Sequence, residues 1–191
     1  PTASNIHNAI GGILNEMEKF DEAAFHFHKS AFYINQIYPD NAYFLAGIYA
    51  NLGDLYMRSY NRDSAWKYIH ISLKMRRSIF DEDHPDIGNS YFHLGDYYMQ
   101  TGNQDSAFFW FQKDLDIQIK FFGPFHAQVA ESYYKLGKNS ILAKQFKKSE
   151  TYIQEGIYAL DPQYNKANLY TFPSISNLTY PMQMVELLVL K

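Results

Sequence analysis

Histidines are the residues of this chain best suited to bind a metal ion or to move a proton, and there are seven of them. His26 and His28 lie two positions apart on a predicted helix, so their side chains point in different directions and make a poor metal-binding pair. His84 and His126 are separated by 42 positions. That interval recurs along the chain and predicts a structural role at the junctions of repeats. We therefore predict no metal site.

Sequence motifs of established catalytic chemistry do not occur in this chain. It contains no HExxH zinc motif, no GxSxG nucleophile motif and no phosphate-binding P-loop. Because it has no cysteine, it also lacks disulfides, thiolate nucleophiles and cysteine-ligated zinc. We predict that the chain is not an enzyme and needs no cofactor.

Charge and hydropathy limit the kinds of partner and the cellular compartment that we expect for this chain. The formal net charge is −3, with no long block of one sign. This balance argues against electrostatic binding to nucleic acid or to an anionic membrane. No segment resembles a signal peptide, and no apolar run approaches the ~20 residues of a membrane-spanning helix. Together with the absence of cysteine, these features predict a cytoplasmic protein, and the sequence reads as part of a longer one.

The elements that must position these residues follow a 42-residue period. Glycine marks that period at four positions: Gly11, Gly53, Gly95 and Gly137. Around the second glycine, Tyr49, Leu52 and Tyr56 complete an i, i+3, i+4, i+7 pattern, which is one face of an α-helix. The same pattern surrounds the third glycine. A second apolar cluster follows each of them: Ala65 with Ile69, and Ala107 with Phe111.

Turn-forming residues divide each unit into two predicted helices. Gly102 suits the position just after the first helix, and Asn or Asp shortly afterwards can cap the second. Pro85 suits a helix start, and Gly123 with Pro124 suits a break between units. Each unit is therefore helix A, a tight turn and helix B. The predicted bounds are about 1–42, 43–84, 85–126 and 127–160, with residues 161–191 as a connecting segment and the start of a further helix.

The recurring glycines are predicted to have a packing role. A helical hairpin cannot bury its apolar face alone, so each hairpin must stack on the next. Gly53 and Gly95 let helix B approach helix A closely, and Ala65 and Ala107 do the same from the other side. The glycine is thus a packing notch and not part of a phosphate loop.

The pattern Tyr-x2-Leu-Gly-x2-Tyr followed by Ala-x3-Phe resembles the tetratricopeptide repeat. The 42-residue spacing resembles the longer repeats of kinesin light chains. The resemblance covers roughly residues 5–160, with departures at His7 in the first unit and at Ser140 and Ser149 in the fourth. It implies an all-α fold, an α-α superhelix or solenoid of stacked antiparallel helix pairs, whose concave wall is formed by the A helices.

The same resemblance implies that the concave face of the A helices binds an extended peptide or a helix. Phe92, Met99 and Tyr134 can receive apolar side chains of a ligand. Asp54 and Asp96 can pair with its Lys or Arg, although an acid there can also serve only solubility, and Phe92 can simply pack on its neighbour. The complete predicted site is Asn8, Asp54, Met57, Arg58, Phe92, Asp96, Met99, Tyr134 and Lys138.

The leading prediction is a non-catalytic protein–protein interaction scaffold that binds a basic or apolar peptide or helix, with no nucleic-acid or membrane partner. The alternative is an intramolecular regulatory or sensor arm of a larger protein. Its groove would hold another segment of the parent protein and control an effector, such as a CHAT protease-like or signalling domain, beyond Lys191. A third possibility is self-assembly through unpaired helix faces at the ends of the array.

Overall fold

The computed structural model describes residues 3–37 and 41–161, and this part of the chain is helical and contains no strand. The predicted connecting segment and further helix at 161–191 lie outside the described residues except for Asp161. The described helices are α1 (Ala3–Glu16), α2 (Phe20–Ile37), α3 (Ala42–Arg58), α4 (Arg62–Arg77), α5 (Pro85–Gln100), α6 (Gln104–Phe122), α7 (Ala127–Leu142) and α8 (Phe146–Leu160).

The described helices form hairpins within two compact units, which divide between Glu82 and Asp83. In the first unit α1 pairs with α2 and α3 with α4, while α2 also packs on α3 and α1 touches α3. In the second unit α5 pairs with α6 and α7 with α8, while α6 packs on α7 and α5 touches α7. The predicted all-α fold of stacked helix pairs is confirmed. Helices α1, α3, α5 and α7 are the A helices.

The tight turn between helices A and B is made by the predicted residues. Asn61 caps α4 because its side-chain oxygen accepts the backbone N–H of Ser64 at 3.2 Å, and Asn103 caps α6 by accepting that of Ser106 at 3.1 Å. Gly102 follows the end of α5 with φ +84°, a left-handed conformation that glycine adopts without strain. The predicted caps are confirmed.

The junction histidines begin two of the A helices. His84 is the N-cap of α5, where its Nδ1 accepts the backbone N–H of Asp86 at 3.2 Å, and Pro85 occupies the first turn as predicted. His126 is the N-cap of α7 and accepts the N–H of Gln128 at 3.4 Å. Their shared 42-residue position therefore reflects a shared capping role.

The recurring glycines lie where helix B presses on helix A. A Cβ at Gly53 would lie 2.9 Å from Ile69 Cγ1, and one at Gly95 would lie 2.5 Å from the ring of Phe111. A Cβ at Gly11 would meet the ring of Phe27 at 2.8 Å. Real Cβ atoms do not approach other atoms so closely, so the predicted packing notch is confirmed.

A ring from helix A meets a ring from helix B at one equivalent position in every described hairpin. Two tyrosines, or a tyrosine and a tryptophan, form the contact in three of them. The centroid distances are 5.8 Å for Tyr49–Tyr68, 5.1 Å for Tyr91–Trp110 and 6.4 Å for Tyr133–Tyr152. In the first hairpin two histidines replace them, with 4.9 Å between the centroids of His7 and His26.

Candidate binding surfaces on the A helices

In the first unit, neutral amides join helices α1 and α3. The side-chain amide of Asn51 donates to Asn8 Oδ1 at 3.0 Å. Nearer the C-terminal ends of the two helices, Asn15 Nδ2 donates to Asp54 Oδ2 at 2.9 Å. The predicted site residues Asn8 and Asp54 therefore each have a partner inside the unit. Because Asn15 is uncharged, the negative charge of Asp54 is not neutralised by this contact.

The other predicted residues of the first unit differ in exposure. Arg58 Nη1 lies 2.7 Å from Glu16 Oε1 in an ion pair whose side chains are 30% and 77% exposed, respectively. Met57 is only 8% exposed and belongs to the buried core. A ligand can reach the arginine but little of the methionine.

In the second unit, an ion pair joins helices α5 and α7. Lys135 Nζ lies 2.8 Å and 2.9 Å from the two carboxylate oxygens of Asp96, and the side chains are 18% and 22% exposed. Burial by itself would lower the pKa of Lys135, but the charge and hydrogen bonds of Asp96, together with the nearby charge of Glu131, raise it overall. The predicted ligand-binding acid Asp96 is thus already paired with a cation of its own chain.

Aromatic and sulfur-containing side chains surround this ion pair. The ring of Phe92 packs edge to face on the ring of Phe111, with centroids 5.9 Å apart. Lys135 Nζ lies 4.8 Å from the centroid of the Phe92 ring. The predicted residues Tyr134 and Lys138 are in contact, with the ammonium 5.9 Å from the ring centroid. Together with Met99, Phe92 and Tyr134 pack from outside on the core of the second unit and stay partly exposed.

A buried acid lies in the packed interior of the same unit. Asp114 of α6 is 1% exposed and accepts hydrogen bonds from Ser132 Oγ at 2.6 Å and Gln118 Nε2 at 2.8 Å. Burial raises the pKa of Asp114 to about 7, against the two hydrogen bonds, which lower it. Gly88 of α5 makes room for it, because a Cβ there would lie 3.0 Å from Asp114 Oδ1.

The sequence did not predict the residues that donate hydrogen bonds to the two predicted ligand-binding acids, Asp54 and Asp96. Lys135 follows Asp96 by 39 positions, and Asp54 follows Asn15 by the same 39. This interval is three residues short of the repeat, so each contact joins one A helix to the preceding turn of the next A helix. A search for complementary polar residues at 39 as well as 42 positions would have found both pairs.

Metal clusters of three or more acidic, histidine or cysteine side chains do not occur in the described residues. Among the described helices, none has both the length and the apolar character needed to cross a bilayer.

Comparisons with known proteins agree with this architecture. Residues 44–118 match the family model described as tetratricopeptide repeat. The structure of BtubC (BKLC) from P. vanneervenii is similar with a TM-score of 0.73 and 15% identity, over 96% of this chain and 71% of that one. Comparison with curated protein sequences gives no match.

Two further solved structures contain TPR-like repeats of a Podosopora anserina protein assigned to the kinesin light chains. One has a TM-score of 0.70 and 12% identity, over 87% of this chain and 80% of its own. The other, carrying the substitution Q17M, has a TM-score of 0.69 and 14% identity, over 87% and 79%. At such identities the likeness shows the fold.

Residues 44–118 therefore match the tetratricopeptide repeat, and the solved structures show that the chain shares the fold of such repeat arrays. Repeats of this kind are in general scaffolds for protein–protein interaction and are typically non-catalytic.

Proposed function

We propose that the surface of α5 and α7 binds apolar side chains of a peptide or helix from a protein partner. The observation that carries this proposal is the group of Phe92, Met99 and Tyr134, which rest on the core of the second unit while remaining partly exposed. Phe111 behind the first ring and Lys135 beside it limit its motion. A rigid, partly exposed aromatic ring is the usual anchor of a protein interface, since little conformational entropy is lost when it is covered.

The α1/α3 surface of the first unit supports a second type of contact. Asp54 accepts a hydrogen bond from a neutral amide and so retains its charge for a Lys or Arg of a ligand. Asp96 in the second unit shares its charge with Lys135. We therefore assign basic-residue recognition to Asp54 rather than to Asp96.

The test begins with a selection of random peptides displayed on phage against the full chain. The affinity of the selected peptides is then measured for the wild type, Phe92→Ala and Tyr134→Ala. We expect each substitution to weaken binding at least about tenfold, as truncation of an interface anchor does. Asp54→Asn should weaken only peptides that contain Lys or Arg.

Phe109→Ala is the matched control for Phe92→Ala. Phe109 is 51% exposed on α6, a B helix, and carries Lys113 Nζ at 5.2 Å from its ring centroid. It therefore resembles Phe92 chemically but lies on a different helix, and its loss should leave affinity unchanged. Peptides that bind equally well to Phe92→Ala and Tyr134→Ala would refute the proposal.

A further inference from the structure

The first hairpin contains a pair of imidazoles where the other described hairpins have phenol or indole rings. His7 of α1 and His26 of α2 occupy the positions of Tyr49 and Tyr68 one repeat later. Their Nδ1 atoms are 3.0 Å apart, and both side chains are half-buried. A stacking position of the repeat therefore holds two imidazole nitrogens within hydrogen-bond distance of each other.

The distance between the two nitrogens matches that of two ligands on one metal ion. Imidazole nitrogen binds zinc at about 2.0–2.1 Å, so two such ligands at angles between square and tetrahedral lie about 2.9–3.4 Å apart. Neutral imidazole suits the late first-row divalent ions Zn²⁺, Cu²⁺ and Ni²⁺.

Neighbouring rings restrict the orientation of both imidazoles. Tyr33 stacks on His7 with centroids 5.5 Å apart, and Phe25 meets His26 edge-on at 5.4 Å. Both neighbours lie on α2, so the packed hairpin rather than a mobile loop holds the two potential ligands. Rigid support of this kind reduces the cost of ordering the ligands when the ion binds.

We propose that His7 and His26 form a two-histidine site for a late first-row divalent metal ion, with Zn²⁺ as its simplest probe. Each ring donates its Nδ1 lone pair to the ion, and water fills the remaining positions. In the free pair one Nδ1–H donates to the other ring. On binding, that ring carries its proton on Nε2 instead, so both rings stay neutral and no net proton is released. The two histidines are not among the residues assigned to the peptide-binding surfaces.

The sequence offered a different pair because it places His28 closest to His26. His26 and His28 lie two positions apart on one helix, so their side chains diverge. His7 is 19 positions from His26 in sequence, but the turn of the hairpin brings α1 and α2 side by side and the two rings into contact. The site has two protein ligands instead of the three or four of established zinc sites. Metal binding should therefore be reversible, with a dissociation constant in the micromolar to millimolar range.

The experiment is a calorimetric titration of the full chain with Zn²⁺ alone, in a buffer without chelators, together with thermal unfolding with and without the ion. We expect saturable binding of one ion and a rise in Tm, because a ligand specific to the folded state stabilises it. The double variant His7→Tyr/His26→Tyr installs the tyrosine pair of the next repeat. It should unfold cooperatively without zinc and lose both the binding and the Tm rise.

Two further variants keep the test decisive. His28→Ala removes a neighbouring exposed histidine and should bind like the wild type. The single variant His26→Tyr leaves one ligand and should lose saturable binding even if the double variant folds poorly. The proposal is overturned if the wild type shows no saturable binding, if His26→Tyr binds as tightly as the wild type, or if His28→Ala loses the site.

Discussion

The two units use the same repeat geometry but different polar chemistry between their A helices. In the first unit, Asn15 donates to Asp54, and an amide supplies the bond. In the second, Lys135 pairs with both carboxylate oxygens of Asp96, and the donor is a charged ammonium group. Both contacts span 39 positions. At this interval the two units therefore share the position of a polar contact, while the residue type decides whether charge remains for a partner.

A second difference lies on the B helices, at positions separated by one or two repeats. Ser30 and Ser72 donate to backbone carbonyls of their A helices, those of Ser4 and Ala46, at 2.9 Å and 2.8 Å. In α6 of the second unit the equivalent residue is Asp114. The larger side chain fits because the facing A-helix residue is a glycine, as described above.

The first prediction distinguishes the glycine notches of the two units. Gly95→Leu should lower the free energy of unfolding by about 3 kcal/mol, the upper end for overpacking, because its Cβ alone would lie 2.5 Å from the buried Phe111 ring. Gly53→Leu should cost less, since its Cβ would lie 2.9 Å from Ile69 Cγ1, a less severe overlap than the 2.5 Å at Gly95. Urea unfolding monitored by circular dichroism measures both.

Gly12→Ala is the control for helix propensity. No atom lies within 4 Å of its added Cβ, so it should be neutral or stabilising by up to about 1 kcal/mol. Equal stability of Gly95→Leu and the wild type would show that the A and B helices pack on other faces.

The second prediction replaces the buried acid by the serine of the first unit. The pKa of Asp114 is raised to about 7, so the folded state holds a proton that the unfolded state releases near pH 4. The wild type therefore loses stability as the pH rises from about 4 to 7, whereas Asp114→Ser lacks this contribution. Relative to the wild type, the variant should gain roughly 2–4 kcal/mol between pH 4 and pH 8.

Thermal unfolding across that pH range tests this prediction. Ser72→Asp provides the reverse exchange in the first unit, where Ala46 and not glycine faces the new side chain, and should destabilise most at pH 8. Parallel stability curves for the wild type and Asp114→Ser would contradict a titrating buried acid.

The third prediction concerns the contacts between A helices. Lys135→Met should cost about 1–3 kcal/mol, because it leaves the carboxylate of Asp96, 22% exposed, without its cation. Asn15→Leu should cost less, since Asp54 loses a single bond from a neutral donor. The difference in urea midpoints between the two variants measures the contrast. A reversed order would mean that solvent already stabilises Asp96.

The smallest effect is expected at the exposed ion pair of the first unit. Arg58→Ala removes a contact to Glu16, which is 77% exposed, and should change stability by at most about 1 kcal/mol. That change should vanish in high salt, because screening weakens exposed pairs. A larger effect that persists in salt would indicate that the arginine stem contributes to packing.

Much of the fold could be predicted from the sequence because its determinants are local or periodic. The Gly53 and Gly95 notches, the Gly102 turn and Pro85 at the start of α5 follow from residue type and spacing alone. The contacts of the candidate surfaces could not. The pairing of Asp96 with Lys135 depends on the offset between neighbouring helices, which a 42-residue pattern does not encode. Burial of Met57 likewise depends on its neighbours in three dimensions.

The fit between Asp114 and Gly88 also bears on how such a chain assembles. Similar hairpins arranged in series carry the hazard that a B helix docks on the A helix of another repeat. At the position of Gly88 the other A helices have Ser4, Ala46 and Ala130, whose Cβ atoms would crowd the carboxylate. A mismatched pairing would also remove Asp114 from the Ser132 hydroxyl. The acid and the glycine thus favour the pairing of α6 with α5 over a pairing with another A helix.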